Sequence, residues 1–505
     1  MSQDKKSNKK LTVLTLSSMI ITTVFAFNNA PNAFLLMGYS AIPAYIFGAV
    51  AFFVPFAFML SEYGMAFKSE KGGMFSWMEK SVGTKFAFMG MFMWYTSFIS
   101  YFVLVTNVFW IRISALIFGK DTTSSWELLG LNSTQVLGVL SIVFVVLMTF
   151  LATKGLDKIS KMASVGGMAV AILNIVLVLG AIIILIANHG NFAQPVLIRE
   201  FIHSPNSSYS SIVAVFSFIS LAILAYGGME ASAGLVDKTE NPEKTFPKAI
   251  LICALIITIG YSLAIFSIGM FTNWGATLSS KGVNLGNVPF VVMNNLGYNL
   301  GLVFGMEEAK ALVIGLWMTR FFALSSCLVV LGAYISLLYS PLRQLIEGTP
   351  ARLWPGKIGQ IDEGMPKKAM WVQCYMIIAL IIFVSFGGAA ASKFFNMLLL
   401  MTAVAMTIPY MFLAAAFPFF KKKTEIEKPF VIYKSYTSSL IWGIVVFITI
   451  GLANIFTIIQ PLLSGDTVSS IIMMAGPIIF IIIGLLMYRR YENITKINSD
   501  EKLAK

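Results

Sequence analysis

Glu230 closes the run Leu224-Ala225-Tyr226-Gly227-Gly228-Met229, in the middle of an otherwise apolar stretch. Roughly 200 residues earlier, another apolar stretch is interrupted by Ala26-Phe27-Asn28-Asn29-Ala30-Pro31-Asn32. Paired glycines loosen a helix at its middle, and proline removes a backbone donor and clashes with the preceding turn. Each interruption frees backbone groups. The first half-helix ends in carbonyls that suit a cation, and the second begins with N–H groups that suit an anion. An α-amino acid carries both charges on one carbon, so paired breaks of this kind suit it as a ligand. The expected binding residues are Phe27, Asn28, Asn29, Ala30 and Asn32 from the first break, and Ala225, Tyr226, Gly227 and Gly228 from the second. Alternatively, Pro31 and the glycines only kink or pack their helices.

Four charged residues fall within apolar runs: Glu62, Arg112, Glu230 and Arg320. Such groups face a cavity, pair with one another, or mark a transport route. Glu230 is the candidate proton carrier or gate, because burial raises a carboxyl pKa toward neutrality. Glu62 lies about one turn from the inner end of its run; it either caps packing at the cytoplasmic mouth or joins an inner gate. Arg112 stands near an outer end and is expected to snorkel. Arg320 lies some ten residues into its run, roughly 15 Å deep. It is placed to bind an anionic substrate or pair with a carboxylate, unless tilting of that long run brings it to the outer surface. Two side-chain stripes are weaker candidates. Trp94, Ser97 and Tyr101 share a face at i, i+3, i+7, and Thr402, Met406 and Tyr410 share one at i, i+4, i+8; such stripes are more often packing surfaces than ligand walls.

The elements that must position these groups are membrane helices. The 505 residues are 57% hydrophobic and 12% charged, about half the charge of a soluble protein. Runs of about 20 apolar residues recur throughout, each enough to cross a ~30 Å hydrocarbon core. They are continuous rather than alternating, which predicts helices and not a barrel. Twelve spans are predicted at roughly 11–37, 41–66, 86–117, 134–153, 162–187, 210–234, 248–272, 310–339, 368–387, 394–418, 438–460 and 469–488. The first is read as a retained helix rather than a signal peptide. Of the 36 basic residues, 29 fall on the side of the chain ends, the exceptions being Arg112, Lys120, Arg199, Lys281, Lys310, Arg320 and Lys393. This is the positive-inside bias; it predicts cytoplasmic termini and explains the +13 net charge without nucleic acid.

The breaks fall in the first and sixth spans, five apart. Five is odd, so the sixth span enters from the side opposite to the first. That predicts an inverted repeat of 11–187 against 210–418, followed by two extra helices at 438–488, with tails at 1–10 and 489–505. Broken helices in matching positions of two halves point to a substrate site near the midplane. Other classes of protein lack their chemistry here. The seven aspartates fall in loops or tails, as do His189 and His203, and there is no phosphate-binding G-x-x-x-x-G-K-[ST] loop. Cys253, Cys327 and Cys374 lie in spans and read as packing residues. An enzyme, a bound metal and a cofactor are therefore not expected.

At this point the residues resemble a known family. Tyr226-Gly227-Gly228-Met229-Glu230-Ala231-Ser232-Ala233, then Glu240-Asn241-Pro242 and Phe246-Pro247-Lys248-Ala249, resemble the sixth-helix signature of the amino acid–polyamine–organocation superfamily. Ser61-Glu62-Tyr63 with Gly72-Gly73-Met74-Phe75-Ser76-Trp77 resembles its first inner loop, and Ser340-Pro341-Leu342-Arg343 with Gly364-Met365-Pro366 the stretch after the eighth span. Within the superfamily the pattern looks most like the glutamate/GABA antiporters and their relatives. The resemblance implies an all-helical five-plus-five fold with broken helices 1 and 6, and alternating access around a substrate held between them. It implies Tyr226 as a gate over the substrate, Gly227 and Gly228 as the opening of the helix, Glu230 in coupling or gating, and Tyr410 as a substrate-side aromatic. Asn28-Asn29-Ala30-Pro31 departs from the family's Gly-small-Gly first break, which leaves the substrate open. The short tail after the twelfth span leads to no expectation of acid-controlled plugging.

The expected function is secondary active amino-acid transport in the bacterial inner membrane, as an exchanger or a proton-coupled carrier of a glutamate/GABA-like substrate. The alternatives are a polyamine or other organic-cation carrier of the same fold, and a channel or non-transporting receptor.

Overall fold

The computed structural model describes residues 10–280, 282–387, 402, 404–463 and 465–503, with side chains up to 496. The N-terminal tail to residue 9, Lys281, Lys393 and the start of the tenth span at 394–401 lie outside the described residues. Helices account for the regular structure among the described residues. They are α1 (Val13–Val24), α2 (Asn29–Met37), α3 (Ala41–Gly48), α4 (Val54–Ala66), α5 (Met74–Ser81), α6 (Thr84–Phe118), α7 (Ser133–Ala152), α8 (Leu156–Ala187) and α9 (Ile198–Ile202). There follow α10 (Ile212–Ala225), α11 (Pro242–Phe271), α12 (Val288–Val303), α13 (Glu308–Gly348), α14 (Lys367–Phe386), α15 (Ile408–Lys422), α16 (Tyr436–Leu463) and α17 (Thr467–Leu503).

Ten stretches among the described residues are long and apolar enough to cross a membrane. The first, Val13–Ala66, has 54 residues, about 80 Å as helix against a ~30 Å core. It is two passes, turned at Gly38–Ser40. With α15 as the end of the tenth span, the twelve predicted spans have their counterparts. The all-helical membrane fold class stands. Side chains such as Leu147, Ile175 and Leu255 project exposed from the helices, as a lipid-facing surface requires.

Several stretches differ from their predicted bounds. The last helix, α17, runs on to Leu503 through the predicted tail at 489–505, and α8 starts at Leu156 rather than 162. α13 continues nine residues past the predicted end at 339, to Gly348, straight through Pro341. Its extension is held by tertiary contacts, with Arg343 Nη2 2.8 Å from Asp237 Oδ2 and Gln344 Oε1 accepting from Met74 N at 2.9 Å, and by an i,i+4 pair within the helix, Arg343 Nη2 to Glu347 Oε2 at 3.0 Å. α12, which lies between the predicted seventh and eighth spans, folds back along the start of α13, and Asn294 Nδ2 donates to Thr319 Oγ1 at 3.3 Å.

The first and sixth spans run in opposite directions. Leu11 N donates to Lys238 O, and Glu240 N to Leu11 O, each at 2.9 Å, so the start of the first lies against the end of the sixth. The end of the second span joins the same face. Glu62 Oε2 pairs with Lys421 Nζ at 2.7 Å, while Oε1 accepts from Ile432 N at 2.7 Å and Tyr433 N at 2.6 Å. Nearby, burial and the Lys421 cation hold the Lys428 ammonium below the usual lysine range. Gly72 lets α5 pack against the end of α13: a Cβ there would lie 2.4 Å from Gly348 Cα.

Candidate functional site

Both predicted interruptions are real breaks. α1 stops at Val24, and α2 restarts at Asn29 behind Asn28, whose side chain makes no capping bond. α10 stops at Ala225, and the chain resumes as a tighter 3₁₀ helix over Met229–Lys238. Gly228 turns the corner with φ +112°, and a Cβ there would lie 2.9 Å from Thr23 O. The conformation and the close approach together favour glycine here.

One hydroxyl ties the two breaks together. Tyr261 Oη, on α11, lies 2.9 Å from Val24 O and 3.0 Å from Ala225 O, the last carbonyls of the two first half-helices. It accepts from Asn29 Nδ2 at 2.8 Å and from Ala26 N at 3.2 Å. The carbonyls and donors that helix termination frees are thus met by one side chain from a neighbouring span. Sequence reasoning missed Tyr261, because an aromatic in an apolar helix reads as packing. Its polar handle was the available signal, since a buried tyrosine hydroxyl finds a partner.

Beside this junction lies a cavity of about 440 Å³, within the range of small-ligand sites. Both breaks line it: Asn28, Asn29 and Asn32 from the first, and Ala225, Gly227 and Gly228 from the second. Tyr101 and the whole Thr402, Met406, Tyr410 stripe complete the wall, which extends to Leu36 and Leu285 near the face opposite the termini.

The other expected residues lie outside that wall. Ala30 is buried in α2. Phe27 lines a second cavity and packs against Phe322 with ring centroids 5.3 Å apart. Ser97 is buried and donates to Trp94 O at 2.7 Å. Tyr226 is buried, stacked on Phe53 at 4.5 Å, with its hydroxyl donating to Tyr45 O at 3.1 Å; Tyr45, not Tyr226, contributes to the wall. Arg320 lies beside Gly119 at the end of α6, its guanidinium 5.3 Å from the exposed Trp317 ring. Arg320 is only half-buried, twelve residues after the start of the 41-residue α13.

Glu230 is 1% exposed and sits behind the wall. Oε1 accepts from Trp94 Nε1 at 3.1 Å and Tyr410 Oη at 2.9 Å, and Oε2 accepts from Gly228 N at 2.9 Å. The carboxylate therefore joins α6, α15 and the second break. Glu62 has no part in the cavity and acts as the anchor described above.

Arg112 does not snorkel. It is 9% exposed, and Nη1 is buried with no hydrogen-bond partner. α6 runs six residues beyond it to Phe118, and Ser326 and Cys327 of α13 lie alongside. It lines the second cavity, of about 110 Å³, together with Asn28, Tyr101 and Tyr334.

The sequence profile described as "Amino acid permease" matches residues 8–488. The chain belongs to the amino acid permease family. It is 48% identical over 485 residues, 96% of each chain, to the inner membrane transporter YjeM of Escherichia coli (strain K12). It is 22% identical over 413 residues, 81% of this chain and 79% of the other, to the aspartate/glutamate permease AcaP of Lactococcus lactis subsp. cremoris (strain MG1363). A glutamate/gamma-aminobutyrate antiporter of L. lactis subsp. lactis (strain IL1403) is 21% identical over 389 residues, 76% of this chain and 71% of the other. The resemblance stated from the motifs holds, and this permease is a membrane transporter rather than an enzyme.

Proposed function

We propose that the chain carries an α-amino acid across the bacterial inner membrane by alternating access, with the substrate held in the larger cavity between the two breaks. The observation that carries this reading is the Tyr261 junction. The two broken helices meet at one hydroxyl, beside a cavity walled by both. Moving one half against the other changes access to that cavity without dismantling it. The halves are 11–187 and 210–418, with both termini cytoplasmic, as the distribution of basic residues favours.

Backbone N–H groups at the start of the second half-helices take the substrate carboxylate, and the Val24 and Ala225 carbonyls, which share the single Tyr261 hydroxyl proton, take its ammonium. Asn28, Asn29 and Asn32 add side-chain bonds that a glycine break would not offer. Glu230 acts as a gate through Tyr410, which it holds from behind the wall. Transport is by exchange or with protons. The printed names of the relatives, an aspartate/glutamate permease and a glutamate/gamma-aminobutyrate antiporter, support an amino acid over a polyamine.

The test is uptake into proteoliposomes of a panel covering the common amino acids, with and without a pH gradient. Saturable uptake of at least one is expected. No saturable uptake of any, by protein that is folded and correctly inserted, would reject the reading.

A further inference from the structure

Among the described residues, the side chains of Arg112, Arg343 and Lys421 are at least nine-tenths buried, and the last two have acids beside them. Arg343 is held by Asp237 and Glu347, and Lys421 by Glu62. Arg112 has no ion pair among the described residues, and its Nη1 has no hydrogen-bond partner. A guanidinium removed from water is strongly unfavourable unless acceptors and a counter-charge meet it. The cavity it lines holds no acidic side chain, so no counter-charge meets it there.

That cavity gathers further unused hydrogen-bonding capacity. The Tyr334 hydroxyl is also buried without a partner. The Asn28 side chain, at the head of α2, makes no capping bond. One cation and two neutral groups able to donate thus converge on about 110 Å³, several times the ~10–15 Å³ that one water occupies. The small cavity adjoins the large one, sharing Thr23, Ala26, Asn28 and Tyr101. Asn28 and Tyr101 thus stand at the boundary between the two cavities.

A guanidinium fork matches a carboxylate with two parallel hydrogen bonds, and it repels an ammonium. We infer that Arg112, Tyr334 and Asn28 form a carboxylate subsite that takes the side-chain carboxylate of a dicarboxylic amino acid. The broken-helix ends then hold the α-carboxylate and α-amino group. The inference rests on the reading of the chain as an amino-acid carrier and narrows it. It separates acidic substrates from their amides, because an amide leaves the guanidinium without its counter-charge. It also sets polyamines aside, since their ammonium groups would face Arg112.

The test uses full-length purified protein and radiolabelled glutamate and aspartate, competed by glutamine, asparagine, alanine and putrescine. In the wild type, one acid should bind about tenfold or more tightly than its amide. Arg112→Gln should lower the acid affinity by about tenfold or more and change the amide affinity by less than about threefold. Arg112→Lys, which keeps the charge without the fork, should fall between them. Tyr334→Phe should weaken the acid by about threefold and spare the amide, and it decides the matter together with the wild-type ratio if Arg112→Gln does not fold. Equal competition by acid and amide in the wild type, or the same acid-to-amide ratio in Arg112→Gln, would overturn the subsite while leaving the carrier intact. A free inorganic anion is the other source of the same chemistry. If chloride titration raises the melting temperature of the substrate-free protein and the acid-to-amide ratio is flat, the cavity holds the ion, and the inference fails. Binding of no amino acid at all would overturn the carrier reading and this one with it.

Discussion

Tyr261→Phe removes one oxygen and leaves the ring in place against Phe25, Tyr45 and Tyr226, whose centroids lie 4.7, 5.2 and 5.6 Å away. The hydroxyl has one proton, so it donates to Val24 O or Ala225 O at any moment while accepting from Asn29 Nδ2 and Ala26 N. Three bonds are lost, each worth about 1 kcal/mol net, or about 3 kcal/mol together. Val24, Ala26, Asn29 and Ala225 border the cavity, so water recovers part of this, and a loss of about 1.5–3 kcal/mol is expected. Equilibrium unfolding in mixed detergent micelles reads it directly. The same substitution uncouples the two breaks, and a shift of about 1.4 kcal/mol between the two access states changes their ratio about tenfold. Exchange rate and stability should therefore fall together. A stability change under about 0.5 kcal/mol with unchanged exchange would refute the argument that this hydroxyl joins the helices.

Other substitutions test other joints. Glu62→Gln breaks a pair buried to 0% and 6% side-chain exposure. It should cost about 3–5 kcal/mol by the same unfolding assay. Lys421→Met alone should cost a similar amount, and the double variant less than the sum. In Glu230→Gln, either orientation sets the amide NH₂ against an obligate donor, the Trp94 indole N–H or the Gly228 amide. It should lose about 1–3 kcal/mol. Trp94→Phe should relieve part of that loss; a purely additive double variant would place the conflict elsewhere. Gly228→Ala must hold φ +112° and push Thr23 O away. About 1–3 kcal/mol and most of the exchange activity should go, and a wild-type melting curve would contradict the close approach of the two breaks.

The fold was legible because the membrane enforces it. Apolar length and the tally of basic residues are one-dimensional signals, and Pro31 and Gly227-Gly228 mark the breaks through backbone chemistry that needs no partner. What was hidden depends on where side chains meet. Tyr261 reads as one more aromatic until α11 sets it between α1 and α10. Arg112 and Arg320 have the same side chain in similar apolar surroundings. Depth depends on helix length and overlap, so Arg112 is buried below the end of α6 while Arg320 lies by exposed Trp317. Glu230 stands out in the sequence as a charge in an apolar run, but two of its three donors, Trp94 and Tyr410, come from elements far away in the chain. Tyr226 shows the limit of carrying over a motif: the residue is in place, yet its ring is packed against Phe53 and Tyr45 takes its part of the wall.

The central claim, that substrate passes through the cavity between the two breaks, is tested most directly by counterflow in the wild type and in Met406→Trp, which narrows the cavity from a partly exposed wall position. The account predicts that amino acid inside wild-type proteoliposomes accelerates entry of labelled amino acid, and that Met406→Trp folds and inserts normally but exchanges at least about tenfold more slowly. Counterflow of wild-type rate and affinity in Met406→Trp would contradict it.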